Sequence, residues 1–171
     1  MSELLLRTVH GSHLYGLNHA GSDEDYYEVI TSDVPRKKNL HTIVDGIDTT
    51  QVTFSGFFEM CYLGVPQALE ALYSTKATVD KLSYFRDAFR PGRSTLTEYA
   101  HAMTQCIRQG DYKRRRHALR LALNLRSLMT YGYFNPTLTP EECAMISDIA
   151  NRTKAEYLTA IRELSPLIGV E

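Results

Sequence analysis

The sequence predicts an α+β protein, strands first and helices after, and three observations carry that prediction. β-Branched and aromatic residues gather in short runs over the first fifty or so residues. From about Phe54 onward apolar residues recur at intervals of three and four instead. Capping signatures then open the later helices.

Leu4 to Val9, Asp25 to Thr31 and roughly His41 to Phe54 read as strands. Between the last two, Ser32 to Asn39 contains Pro35, Arg36, Lys37 and Lys38 and reads as a polar connection. Phe54, Phe57, Phe58, Cys61 and Tyr62 mark one helical face, Leu63-Gly64-Val65-Pro66 interrupts it, and Ala68, Leu69 and Leu72 resume it. The result is an apolar helix pair with a sharp joint. Thr95 with Glu98 matches a capping box, as does Thr139 with Glu142, where Pro140 takes the first helical position. Asp111 can cap a helix running to about Tyr131, with Ala118, Leu121, Ala122, Leu125, Leu128 and Met129 as its apolar stripe and Gly132 as its stop. Glu141 to Leu164 forms one longer helix or two short ones, with Ala144, Ile149 and Ile161 among its core candidates. Residues 1–75 are expected to form a core of strands and the first helices, and residues 76–171 a helical portion packed on it, together one compact unit.

Length and charge narrow the function classes. A chain of 171 residues buries a real core in a single domain. No window approaches ~18 uninterrupted apolar residues and no basic leader precedes a hydrophobic stretch, so a soluble, cytoplasmic protein without a membrane partner is expected. Cys61, Cys106 and Cys143 are odd in number and widely spaced, which argues against a disulfide framework or zinc cluster and for buried free thiols. A net charge of -1 provides no global attraction for nucleic acid.

The densest chemistry lies between Gly11 and Asp25. Gly11-Ser12 follows an apolar strand and forms a small-residue turn suited to anionic oxygens, and Ser22-Asp23-Glu24-Asp25 adds two carboxylates one residue apart. If that segment is a strand, Asp23 and Asp25 share a face and can share divalent cations. An Asp-x-Asp alone is more often a polar hairpin tip than a metal site; the upstream turn shifts the balance toward a site. Nucleotidyl transfer also needs a third carboxylate from a neighbouring strand, for which Asp48 is the best candidate and Asp45 the runner-up.

Gly11-Ser12-His13-Leu14-Tyr15-Gly16 with Ser22-Asp23-Glu24-Asp25, then Pro66-Gln67-Ala68-Leu69-Glu70, then Lys113-x-x-x-His117-x-x-Arg120, resembles the DNA polymerase beta-like nucleotidyltransferase superfamily. More narrowly the pattern is similar to predicted nucleotidyltransferases of bacteria and phages, over about Leu4 to Pro140. The resemblance implies a small mixed sheet carrying Gly11, Ser12, Asp23, Asp25 and Asp48, with helices around it. It implies that Ser12 contacts the triphosphate, that Asp23 and Asp25 bind the metal ions, and that Asp48 aligns or activates the acceptor. Two positions depart from the pattern: Glu28-Val29 stands where relatives commonly have Gly-Val, and Val65-Pro66 where they have Asn-Pro.

Lys113, His117, Arg120 and Asn124 fall on one side of the helix after Asp111, and the first three are candidates to hold triphosphate oxygens. Arg114, Arg115 and Arg116 read as a solvated run. Glu70, among apolar neighbours, is either exposed or paired with a base such as Arg120, as a structural partner. His10, His13 and His19 match no metal spacing and read as loop or substrate-side groups. Tyr15, Tyr26 and Tyr27 could stack on a base but read more readily as core.

The expected activity is metal-dependent transfer of a nucleoside monophosphate from an NTP to an acceptor hydroxyl. Asp23, Asp25 and Asp48 would serve as catalytic and metal-binding residues for two magnesium ions, manganese being the alternative, and Gly11, Ser12, Lys113, His117 and Arg120 would bind nucleotide. The NTP is the donor; the acceptor, whether a nucleic-acid 3′ end, a protein or a small molecule, is left open, as is oligomerisation. The competing readings are a catalytically silent nucleotide-binding or antitoxin-like module on the same fold, and a helical interaction protein with a small β-rich start.

Overall fold

The computed structural model describes residues 2–32 and 40–165. The expected polar connection, with Arg36, Lys37 and Lys38, falls almost wholly outside the described residues. The chain runs β1 (Leu4–His10), α1 (Gly11–Tyr15), β2 (Asp25–Ile30), β3 (Leu40–Val44), β4 (Ile47–Thr53), α2 (Phe54–Leu63), α3 (Pro66–Leu72), β5 (Ala77–Asp80), α4 (Ser83–Ala88), α5 (Ser94–Gln109), α6 (Tyr112–Tyr131), α7 (Pro140–Asn151) and α8 (Lys154–Leu164). The strands form one mixed sheet in the order β3-β4-β2-β1-β5, with only the β2–β4 pair parallel. This is the expected α+β architecture.

Side-chain alternation separates the two faces of the sheet. Leu6 and Thr8 of β1, Tyr27 and Val29 of β2, and Val52 of β4 are buried on the inner face, where α2, α3, α5 and α6 complete the core with Phe57, Cys61, Leu69, Leu72, Met103 and Leu121. The outer face is polar: Arg7 pairs with Glu28 at 3.2 Å and lies 4.5 Å over the Tyr26 ring, while Gln51 donates to Glu28 at 3.0 Å. Tyr15 and Tyr27 are core, as expected, whereas Tyr26 lies on the outer face beneath Arg7.

The single strand expected from His41 to Phe54 is two strands folded on Asp45-Gly46. Both turn residues hold positive φ (53° and 80°), the arrangement that suits the twist of a tight hairpin. β5 and α4 had no counterpart in the sequence reading; β5 has four residues and pairs with β1, so the sheet extends past residue 75.

The joint at Gly64 and Pro66, the Asp111 cap, the Gly132 stop and the Thr139–Glu142 capping box all form. The Glu141–Leu164 region is two helices, broken at Arg152-Thr153, where Thr153 and Glu156 make a second capping box. The Thr95–Glu98 box does not form. α5 begins at Ser94, two residues earlier than a Thr95 cap requires, and Thr95 is fully buried against Gly64, where a Cβ would overlap it. Met129 and Ala144, expected in the core, are exposed. Cys61 and Cys106 are buried free thiols; Cys143 is free but half-buried.

Candidate active site at the end of the sheet

Register gathers the acidic residues. His10 of β1 stands opposite Asp25 of β2, and Asp25 stands beside Asp48 of β4. All three belong to the parity of Thr8, Tyr27 and Val52, so they form one row on the inner face where β1 ends and β2 and β4 begin. This geometry separates the two candidates for the third carboxylate. Asp48 lies in the row, and Asp45 sits at the exposed hairpin tip.

β1 ends where Gly11 takes φ +64°, turning the chain into α1. A side chain is excluded there twice over: the left-handed backbone favours glycine, and a Cβ would lie 2.5 Å from Asp25 Oδ2. The Asp25 carboxylate thus packs directly on the Gly11 turn. Burial raises its pKa, the neighbouring Asp48 and Asp23 raise it further, and His10 and His13 oppose them. Asp48 Oδ1 is buried without a hydrogen-bond partner, with His41 Nδ1 3.9 Å away.

Asp23 lies outside the strand, since β2 begins at Asp25, and it is exposed in the connection after α1. The expected shared strand face is therefore absent for this pair. The connection is tied down nonetheless: His13 Nε2 meets the Ser22 carbonyl at 3.2 Å, the His19 amide donates to Ser22 Oγ at 2.9 Å, and Cys143 Sγ reaches the Gly16 carbonyl at 3.7 Å. Ser12 sits half-buried in the first turn of α1, and Gly16 ends that helix in the left-handed conformation.

Two cations stand beside this turn. Lys76, just before β5, donates its Nζ to the His13 carbonyl at 2.6 Å. Arg116 of α6 donates to the Leu17 carbonyl at 3.4 Å and stacks 5.3 Å from the Tyr112 ring centre. Sequence reading missed both. Lys76 precedes an unforeseen strand, and Arg116 was assigned to a solvated run. The signal for Arg116 was its place one residue from His117 in the third family-like motif.

The Lys113–His117–Arg120 stripe is divided. Lys113 is exposed at the start of α6. Arg120 is 0% exposed, pairs with Glu70, and lies 3.5 Å over the Tyr15 ring, while Tyr15 donates its hydroxyl to Glu70 at 2.6 Å. The guanidinium expected on the nucleotide is thus engaged within the protein by Glu70, the Tyr15 ring and His117. The expected structural pairing of Glu70 with Arg120 is what forms. Burial favours neutral Glu70, but Arg120, His10 and the Tyr15 hydrogen bond outweigh it and hold the carboxyl below its usual value.

Arg120 Nη2 contacts His117 Nδ1 at 2.9 Å. An arginine only donates, so Nδ1 accepts and the ring proton sits on Nε2. Burial and then Arg120 push the His117 pKa down to about 3, so the ring is neutral. His117 also lines a cleft of about 230 Å³ with Gln67, Glu98 and His101. His10 Nδ1 is buried without a partner, and burial lowers its pKa, with Glu70 and Asp25 acting against the shift.

The donor set suits a hard divalent cation, because carboxylates are its natural ligands and Asp48 Oδ1 is unpaired. Among the described residues, however, no three His, Cys, Asp or Glu side chains are gathered closely enough to hold a metal. Asp25 and Asp48 are neighbours by register, and Asp23 is their electrostatic neighbour on a separate segment.

No family model and no curated protein matches this chain. Among solved structures, the chain is similar to the crystal structure of a nucleotidyltransferase-like protein from Exiguobacterium sibiricum 255-15. The TM-score is 0.35 at 10% identity, over 95% of this chain and 68% of that one. Among the described residues no helix is long and apolar enough to cross a membrane.

Proposed function

We propose that this protein is a metal-dependent nucleotidyltransferase that moves a nucleoside monophosphate from an NTP to an acceptor hydroxyl and releases pyrophosphate. The observation that supports it most is the Asp25–Asp48 register, which sets two carboxylates side by side at the sheet end, packed on the Gly11 turn. Burial first and the adjacent Asp48 second raise the Asp25 pKa, so holding both carboxylates ionised opposes folding, and a bound cation would offset that cost.

Asp25 and Asp48, with Asp23 from the preceding connection, would hold magnesium or manganese, which supplies charge neutralisation at the phosphates when bound. The Ser12 hydroxyl and the Lys76 ammonium would hold the β- and γ-phosphates and orient the α-phosphate. The half-exposed Asp48 carboxylate would accept the acceptor hydroxyl's proton as its oxygen bonds to the α-phosphorus. The bond from that phosphorus to the bridging oxygen then breaks and pyrophosphate departs. Arg116 and His13 hold the Leu17–Ser22 segment against α6 and α1, which fixes where Asp23 stands.

The test is turnover of labelled NTP with magnesium and nucleic-acid, protein and small-molecule acceptors. Protein that binds no nucleotide under these conditions sinks the proposal. The second reading, a catalytically silent nucleotide-binding module, is favoured by the missing three-ligand grouping. It predicts ATP binding that is unchanged by Asp25→Asn and by removal of magnesium.

A further inference from the structure

We propose that a cleft between α5, α6 and α8, apart from the carboxylate row, binds the phosphodiester backbone of a single-stranded oligonucleotide. The cleft holds about 240 Å³, and its lining carries three cations, Arg108, Arg115 and Lys154, and no carboxylate. That volume suits a phosphate and its sugar.

The cations differ in how they are held. Arg115 is fixed in advance: its Nη1 donates to the Ala150 carbonyl at 3.3 Å and to the Arg152 carbonyl at 2.9 Å, and its guanidinium lies 5.1 Å from the Tyr157 ring centre. Exposed Arg108 and Lys154 have no hydrogen bond or ion pair with any described residue. The acidic groups on the adjoining helix ends are already engaged. Asp111 caps the Arg114 amide, Asp148 pairs with Arg152 at 2.6 Å, and Glu156 closes the Thr153 cap. Among the described residues, no carboxylate lines the cleft or pairs with Arg108 or Lys154.

What lies beyond the cleft favours a strand over a lone phosphate. Exposed Lys113 and Arg114 and half-buried Arg116, stacked on the 42% exposed Tyr112, add further cations in the first turns of α6 around Arg115. One phosphate cannot use so many donors, whereas a chain of phosphates can. Arg115 and Arg116 are consecutive, about 100° apart around the helix, so one flank of α6 faces the cleft while the next touches the Leu17 carbonyl.

The cleft is a separate site, and its occupancy does not depend on nucleotidyl transfer. The test is fluorescence anisotropy of the full chain with labelled single-stranded RNA and DNA of about 12 nucleotides, in a salt series, without NTP or divalent cation. The three cleft cations alone predict a slope of log K against log salt of about −2, steeper if the α6 cations add contacts, and R108Q/K154Q, with its fold checked by circular dichroism, should make it shallower by about 1.4. No salt-dependent binding by the wild type, or an unchanged slope in the variant, overturns the proposal. So does displacement of the strand by inorganic phosphate or a phosphopeptide at matched phosphate concentration, which would mark a site for isolated phosphates. Failure here leaves the transfer reaction untouched, and success lends it no support.

Discussion

Replacing Gly11 with alanine tests the contact that fixes the Asp25 carboxylate. Gly11 and Gly132 both hold positive φ, +64° and +79°, so alanine at either costs about 1 kcal/mol of backbone strain. At Gly132 the new Cβ meets nothing within 4 Å, whereas at Gly11 it lies 2.5 Å from Asp25 Oδ2. That oxygen must retreat by about 1 Å, and overpacking of this kind adds about 1–3 kcal/mol. In a chain of this length each kcal/mol lowers Tm by about 2–4 °C, so Gly132→Ala should lose about 2–4 °C and Gly11→Ala about 4–16 °C. Thermal unfolding followed by circular dichroism at pH 7 measures both. Removing the contacted oxygen should remove the excess: in an Asp25→Ala background, Gly11→Ala should cost no more than Gly132→Ala. Displacement by 1 Å should also lower any transfer rate by about 100-fold. The reasoning fails if Gly11→Ala is no worse than Gly132→Ala, or if its cost is the same with and without the Asp25 carboxylate.

Further predictions concern the interior pair, the carboxylate row and the phosphate contacts. Arg120→Met leaves Glu70 buried without its cation and should cost about 3–5 kcal/mol in urea unfolding, most of it regained by adding Glu70→Leu. Because the folded-state pKa of Glu70 is depressed, the wild-type pair stabilises above the unfolded carboxylate pKa and that contribution fades as pH falls through the folded value; Arg120→Met should reverse the trend and gain stability on acidification. Asp25 has the opposite sign. Its raised folded-state pKa means that stability is lost as pH rises from the ordinary aspartate value through the folded one, so Asp25→Asn should raise Tm at pH 7 while abolishing magnesium-dependent turnover. Lys76→Met should weaken NTP use by about 10-fold or more in kcat/KM, the scale of one charged hydrogen bond, with circular dichroism checking that α1 survives.

Much of the fold was legible because its signals are local. A proline closing an interruption, an aspartate three residues before the amide it caps, and a glycine after an apolar stripe each act within one helical turn, and all three produced the expected boundaries. Thr95 shows where local pattern fails: its hydroxyl lies where a capping box needs it in sequence, yet burial against Gly64 decides its use. β5 escaped because four residues are too few to show alternation, and its strand character comes from pairing with β1. At the site, Asp48 was preferred over Asp45 from sequence, and their separation into sheet row and hairpin tip rests on strand register. For Arg120, helical spacing gives the side chain its face and leaves its depth unstated; the partner that engages it, Glu70, is fifty residues away. Lys76 and Arg116 act through backbone carbonyls of the α1 turn, and such contacts leave no trace in residue patterns.

The central claim is that Asp25 and Asp48 form one functional pair, and comparing three asparagine variants tests it most directly. Labelled-NTP turnover with magnesium should vanish in Asp25→Asn and Asp48→Asn and persist in Asp45→Asn, since asparagine tolerates the positive φ of the hairpin tip. Turnover that survives loss of Asp48, or that falls as far with Asp45→Asn as with Asp48→Asn, would contradict the account.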